Sequence, residues 1–246
     1  MCTLSWLSRS QGYTVFFNRD ERLTRAPALA PAVRDCRGVP FIAPLDGNFG
    51  GTWIAANAYG LALCVLNRYG EGAPPPADPI SRGRLITSLI DCISGDEFRA
   101  RLSALQFDRY QSFTLACLEP EHDVLIAQWD GRAPSIVEWA RVGLVLTSSA
   151  CDQPTVERAR RATFEALGPA ALTSEALAGI HASHRPERGA RSVCMHREDA
   201  ETQSFSRVTV TAQEVEFFHV PDAPCRGTPL PVVTIERAEN CVSSER

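Results

Sequence analysis

Residues 1–21 read MCTLSWLSRSQGYTVFFNRDE, and this stretch decides the fold. Residues 3–8 and 13–17 are short, β-branched and aromatic, with Ser10-Gln11-Gly12 between them, the pattern of a β-hairpin with Cys2 at its leading edge. The second strand runs into Asn18-Arg19-Asp20-Glu21, a polar tetrad at a strand end, where fixed polar groups often do chemistry. A hairpin turning at residues 10–12 returns residues 18–20 towards residue 2, so Asp20 is expected beside the chain start. Cysteine is small enough at the second position for the initiator methionine to be removed. Cys2 would then carry a thiol and an α-amino group, whose pKa of about 7.7–8.0 suits it to accept the thiol proton.

Outward from the hairpin, residues 27–47 form a proline-rich loop. Gly50-Gly51-Thr52-Trp53 then leads through a tight turn into a second strand-turn-strand unit that ends at Asn67. Residues 72–79, with four prolines, read as an exposed connection. From Ser81, a plausible N-cap, Leu85, Ile86, Leu89, Ile90 and Ile93 recur at helical spacing, and Phe98, Leu102 and Leu105 repeat the pattern. Strands are expected at 112–118, 124–129, 135–139 and 142–147, and helices at 154–167 and 173–182. Three further strands are expected at 191–197, 203–210 and 214–219, followed by an irregular tail from about 222. Helices grouped between runs of antiparallel strands imply an α+β fold in one domain. A four-layer αββα sandwich, two antiparallel sheets flanked by helices, would bury both hairpins centrally.

Of the 246 residues 44% are hydrophobic, enough for a large core, and the net charge of -4 with acidic and basic residues interspersed argues against a nucleic-acid surface. No apolar run is long enough to span a bilayer or act as a signal peptide, so a cytoplasmic protein is expected. The nine cysteines are dispersed, without a C-x-x-C pair or His/Cys zinc spacing, and read as reduced, mostly buried thiols. Cys194 and His196 read as strand packing, and His181 and His184 as partners of a helix C-terminus, so no metal is expected. Trp53, Trp129 and Trp139 read as core or pocket-wall aromatics.

Met1-Cys2-Thr3, Asn18-Arg19-Asp20-Glu21 and Gly50-Gly51-Thr52-Trp53 resemble the NRDE proteins, related to the transport and Golgi organisation protein 2 family. That family is similar to the cysteine branch of the N-terminal nucleophile (Ntn) hydrolases. Val145-Leu146-Thr147-Ser148-Ser149 and Gly189-Ala190-Arg191-Ser192 are similar to its later motifs. The resemblance implies an Ntn-hydrolase-like fold, Cys2 as nucleophile and Asp20 as the holder of its amine. The acylases of that branch carry an arginine three residues before the aspartate, where this chain has Phe17. The only arginine of the tetrad is Arg19, next to Asp20; since alternate residues of a strand face opposite sides, Arg19 need not reach the thiol unless the strand has turned. Ser148 stands where the family has an oxyanion asparagine, and Asn67 matches a further polar position.

Two functions follow from the resemblance. One is an amidohydrolase or acyltransferase acting on a small-molecule amide or thioester, with Cys2, Asp20, Arg19, Ser148 and Asn67 at its site and no cofactor. The other is a non-catalytic binding or trafficking protein for haem or a lipid-related ligand, with Cys2 as a haem ligand. A homo-oligomer is compatible with both.

Overall fold

The computed structural model describes residues 2–69, 74, 76–139 and 142–238. The opening hairpin forms β1 (Cys2–Arg9) and β2 (Gly12–Arg22), paired from Arg9 opposite Gly12 back to Cys2 opposite Arg19. The Asn-Arg-Asp-Glu tetrad lies within β2 rather than beyond its end. Asn18, Arg19 and Asp20 are buried, and the strand stays paired with β1 as far as Arg19 and with β11 as far as Arg22.

The proline-rich segment expected to be a loop is instead a hairpin, β3 (Leu29–Cys36) and β4 (Val39–Leu45). Arg37 and Gly38 both take positive φ (51° and 84°), which matches the twist of a two-residue hairpin turn. β3 is a sheet edge, where proline is tolerated, and Pro31 falls at its register shift between Leu29 and Ala32. β5 (Ile54–Asn57) and β6 (Ala62–Asn67) form the second hairpin as read. Asn57 fixes its turn, accepting from the N–H groups of Tyr59 and Leu61 and donating to the carbonyls of Ile90 and Cys92. Residues 70–73 and 75 of the next connection lie outside the described residues.

The first helix, α1 (Gly83–Leu89), starts two residues after Ser81, which does not cap it. α2 (Gly95–Ser103) is capped by Ser94, whose hydroxyl accepts the Glu97 N–H. β7 (Phe113–Leu118), β8 (Val124–Trp129), β9 (Pro134–Trp139) and β10 (Val142–Ser148) follow, then α3 (Gln153–Glu165) and α4 (Ser174–His181), capped by Asp152 and Thr173. Trp129 is buried and donates to the Tyr110 carbonyl, whereas the Trp139 side chain is outside the described residues.

The strand expected at 191–197 is absent. Its groups are used elsewhere: Ser192 bonds the Gly189 and Cys194 carbonyls, and the Cys194 N–H donates to Ser183. β11 (Ala200–Val210) and β12 (Glu214–Val220) form, and the tail read as irregular adds β13 (Val233–Glu236) to the edge of β12. Residues 239–246 of that tail lie outside the described residues.

The strands make two antiparallel sheets, β10-β1-β2-β11-β12-β13 and β3-β4-β5-β6-β7-β8-β9. Within the first sheet Gly12 permits a close approach of β2 to β11, since a Cβ there would lie 2.0 Å from the Val210 carbonyl oxygen. α1 and α2 pack on β6 and β7, and α3 and α4 on β10 and β2, giving the expected four-layer αββα sandwich. Strand alternation divides the hairpin between two cores. Leu4, Trp6, Val15 and Phe17 join the cluster shared with the second sheet and its helices, while Phe16 packs with Val145, Phe164, Leu177 and Phe205 under α3 and α4. Among the described residues no helix is long and apolar enough to cross a membrane.

Candidate active site

At the open end of the sandwich, register sets four residues in one row across the first sheet. Cys2 stands opposite Ser148 on one neighbouring strand and Arg19 on the other, and Arg19 stands opposite Ser204. Residues directly opposed in an antiparallel pair project to the same face. Arg19 therefore shares the thiol's face with β2 still fully extended, which corrects the expectation that a turn is needed. Its guanidinium donates to Asp46 (2.7 Å) and lies 4.4 Å from the centre of the Trp53 ring. Burial alone would raise the Asp46 carboxyl, but the Phe49 N–H, Arg25 and Arg19 hold it below the usual carboxylate range. Arg19 is thus a fixed positive charge beside Cys2.

Burial pushes the Cys2 thiol up, and the Asp20 carboxylate adds to this. The backbone N–H of Asp20 and the charge of Arg19 act the other way. Asp20 follows Arg19 in β2 and turns its side chain to the α3–α4 side. There Oδ2 accepts from Arg160 (3.1 Å) and Oδ1 from the Thr202 hydroxyl (2.7 Å). The same Arg160 nitrogen donates to Thr3, the residue after Cys2 (2.5 Å). One fully buried guanidinium thereby ties the aspartate to the strand that carries the cysteine.

Arg160 and Thr202 escape a reading by local pattern. Arg160 did leave a signal, because Val156, Arg160 and Phe164 repeat at four-residue spacing along the buried stripe of α3. A charge on an apolar stripe needs a buried partner.

The helix-facing side also holds Ser5, His181 and Asn18. Asn18 donates to the carbonyls of His181 and Val193, so its Oδ1 accepts from His181 Nδ1 (3.0 Å), and Ser5 donates to Nε2 (2.8 Å). His181 is fully buried and its ring stacks on Phe16, so this chain of bonds is packing that locks α4 to β2, not the helix-end charge expected from sequence.

Cys2, Arg19, Asp20 and Asn67 line one cleft of about 490 Å³ together with Trp53 and Arg82. Ser148 lies instead on an adjoining cleft that shares Asn67, and its hydroxyl is buried without a hydrogen-bond partner among the described residues. Asn67 donates to the Tyr69 hydroxyl (2.9 Å). The structure thus gathers all five residues expected at the site at one end of the sandwich, with Asn67 shared between the Cys2 cleft and the adjoining one that holds Ser148.

No curated protein sequence matches the chain. Among solved structures it is similar to a Caenorhabditis elegans N-acylethanolamine-hydrolyzing acid amidase ortholog (7% identity, TM-score 0.60, 92% of this chain and 94% of that one). It is similar also to a C2A mutant of conjugated bile acid hydrolase from Clostridium perfringens (8%, 0.57, 96% of each chain). A third is penicillin V acylase from Agrobacterium tumefaciens (13%, 0.55, 96% and 86%). At these identities the likeness is one of fold, the Ntn-hydrolase sandwich. The family model for Transport and Golgi organisation 2 matches residues 1–214, and the chain belongs to that family.

Proposed function

We propose that the protein is an amidohydrolase or acyltransferase that uses Cys2 as an N-terminal nucleophile on a small-molecule amide or thioester. The observation that carries this reading is the register that sets Cys2 between Arg19 and Ser148 at the wall of a cleft, with the Asp20 N–H supporting its thiolate. With Met1 removed, the α-amine of Cys2 takes the thiol proton as sulfur attacks the carbonyl carbon. It returns that proton to the departing amine or thiolate, leaving a thioester on Cys2. Water or an acceptor amine then displaces the acyl group and regenerates the thiol. Asp20, held by Arg160 and Thr202, orients the amine. Asn67 and the Ser148 hydroxyl are the side-chain donors for the oxyanion, and Arg19 adds positive potential.

The cleft also favours a substrate with an anionic group. Arg82 is half-buried in it, donates to the Ser112 carbonyl (3.1 Å) and has no ion pair among the described residues.

The test is intact-mass analysis of the purified chain with a thiol-directed acylating probe. Loss of Met1 and labelling at Cys2 ahead of the other cysteines are expected, and Cys2→Ala should abolish the adduct. Retained Met1, or labelling indifferent to Cys2→Ala, overturns the reading. Uptake of haem that depends on Cys2 would favour a binding protein instead.

A further inference from the structure

The strand missing at 191–197 leaves its polar side chains gathered at a different point of the molecule. His184, just after α4, meets Cys194 and His196 from the irregular segment and Cys225 from the turn after β12. One potential ligand atom from each of the four lies within 4.8 Å of the others. We propose that His184, Cys194, His196 and Cys225 form a structural Zn²⁺ site of the Cys2His2 type.

The spacing fits the ion. A tetrahedral zinc with Zn–S of about 2.3 Å and Zn–N of about 2.0–2.1 Å sets sulfur and nitrogen about 3.6 Å apart. His196 Nε2 lies 3.5 Å from Cys194 Sγ and 3.5 Å from Cys225 Sγ. The His184 ring stands edge-on to His196 with centroids 5.1 Å apart, and its Nε2 is buried with no hydrogen-bond partner among the described residues.

The surroundings fit as well. His196 turns its other nitrogen, Nδ1, to Glu201 Oε2 (3.4 Å), and Glu201 is clamped by two nitrogens of Arg226 (2.7 and 3.0 Å). A carboxylate behind the ring fixes which nitrogen is left for a metal, the usual support of a metal-bound histidine. Arg188 also approaches Nδ1 (3.3 Å), and a metal at Nε2 would settle the tautomer in favour of Glu201. Two thiolates and two imidazoles in a closed group select zinc over the oxygen-seeking cations. With four protein ligands no position is left open for water, so the role is structural.

The site would staple three segments: the stretch just after α4, residues 194–196 and the turn after β12. Met195, between two of the ligands, exchanges hydrogen bonds with Thr202, and Thr202 holds Asp20. The clip therefore steadies the backing of the Asp20 carboxylate, whatever chemistry occurs at Cys2.

The experiment is elemental analysis of the full chain purified under reducing conditions without chelator, followed by Co²⁺ exchange. The expected result is close to one zinc per chain, and for the Co²⁺ form intense tetrahedral visible bands with thiolate-to-cobalt charge transfer. Cys225→Ser should weaken that charge transfer and lower metal retention at least tenfold, while Cys151→Ser, at an exposed cysteine, should change neither. Should Cys225→Ser fail to fold, the intact chain decides: removal of zinc by a strong chelator must lower its thermal midpoint, and zinc must restore it. Folded, reduced protein that takes up neither Zn²⁺ nor Co²⁺, or metal content indifferent to Cys225→Ser, overturns the proposal.

Discussion

Arg160 Nη1 lies 3.1 Å from Asp20 Oδ2, and neither side chain reaches solvent. The two residues are 140 positions apart, one on a helix and one on a central strand, and the pair joins the outer helical layer to the strand beside Cys2. Breaking such a pair strands a buried charge, which costs far more than the pair contributes relative to an apolar replacement.

Arg160→Met should therefore destabilise the protein by about 3–5 kcal/mol, read from urea unfolding. The double variant Arg160→Met with Asp20→Asn removes both charges and should lose less than the sum of the single changes. Additive losses would show that the two side chains do not depend on each other.

Stability should fall as the medium is acidified from pH 6.5. Burial holds the His181 ring down at about 3 and the His219 ring at about 4, so both are neutral when folded. Unfolding lets each take a proton below its ordinary value of about 6.5, so their contribution is complete above that value and is lost towards pH 4 for His219 and pH 3 for His181. Each histidine costs about 1.4 kcal/mol per pH unit in its window. Urea midpoints at pH 7, 6 and 5 measure this, and His219→Asn should flatten the slope.

Arg19→Gln should slow alkylation of Cys2 by iodoacetamide about two- to tenfold at fixed pH, because the charge that favours its thiolate is gone. Peptide mapping against Cys151, which is exposed, supplies the internal control. An unchanged rate at Cys2 would show that Arg19 is held by Asp46 and Trp53 without acting on the thiol.

Gly51→Ala should loosen the cleft. A Cβ at Gly51 would stand 2.7 Å from the Gly83 carbonyl carbon, so the approach to Trp53 must move away from α1. Overpacking of this kind costs about 1–3 kcal/mol, measurable as a lower thermal midpoint with greater exposure of tryptophan fluorescence.

Residues 1–21 by themselves determine the opening hairpin and its return of Arg19 and Asp20 to Cys2. Strand alternation and a short turn are local, so register follows from counting residues. The helix stripes around Leu85 and Phe98 are legible for the same reason. Local pattern misjudged residues 27–47, where Pro31 suits the edge strand β3 and the Arg37-Gly38 turn supplies the pairing with β4. It misjudged 191–197 as well, where side chains take the backbone groups a strand would use. Only the tertiary structure decided that Arg19 faces the thiol's cleft and Asp20 the helices, that Arg160 and Thr202 hold Asp20, and that His184, Cys194, His196 and Cys225 converge. Thr202 reaches Asp20 across 182 positions of sequence. Contacts at such separations are set by which strands pair, as for Thr202 and Asp20, and by how the layers stack, as for Arg160 and Asp20; hydrophobic periodicity specifies which face of an element is buried but not which distant side chain it meets there.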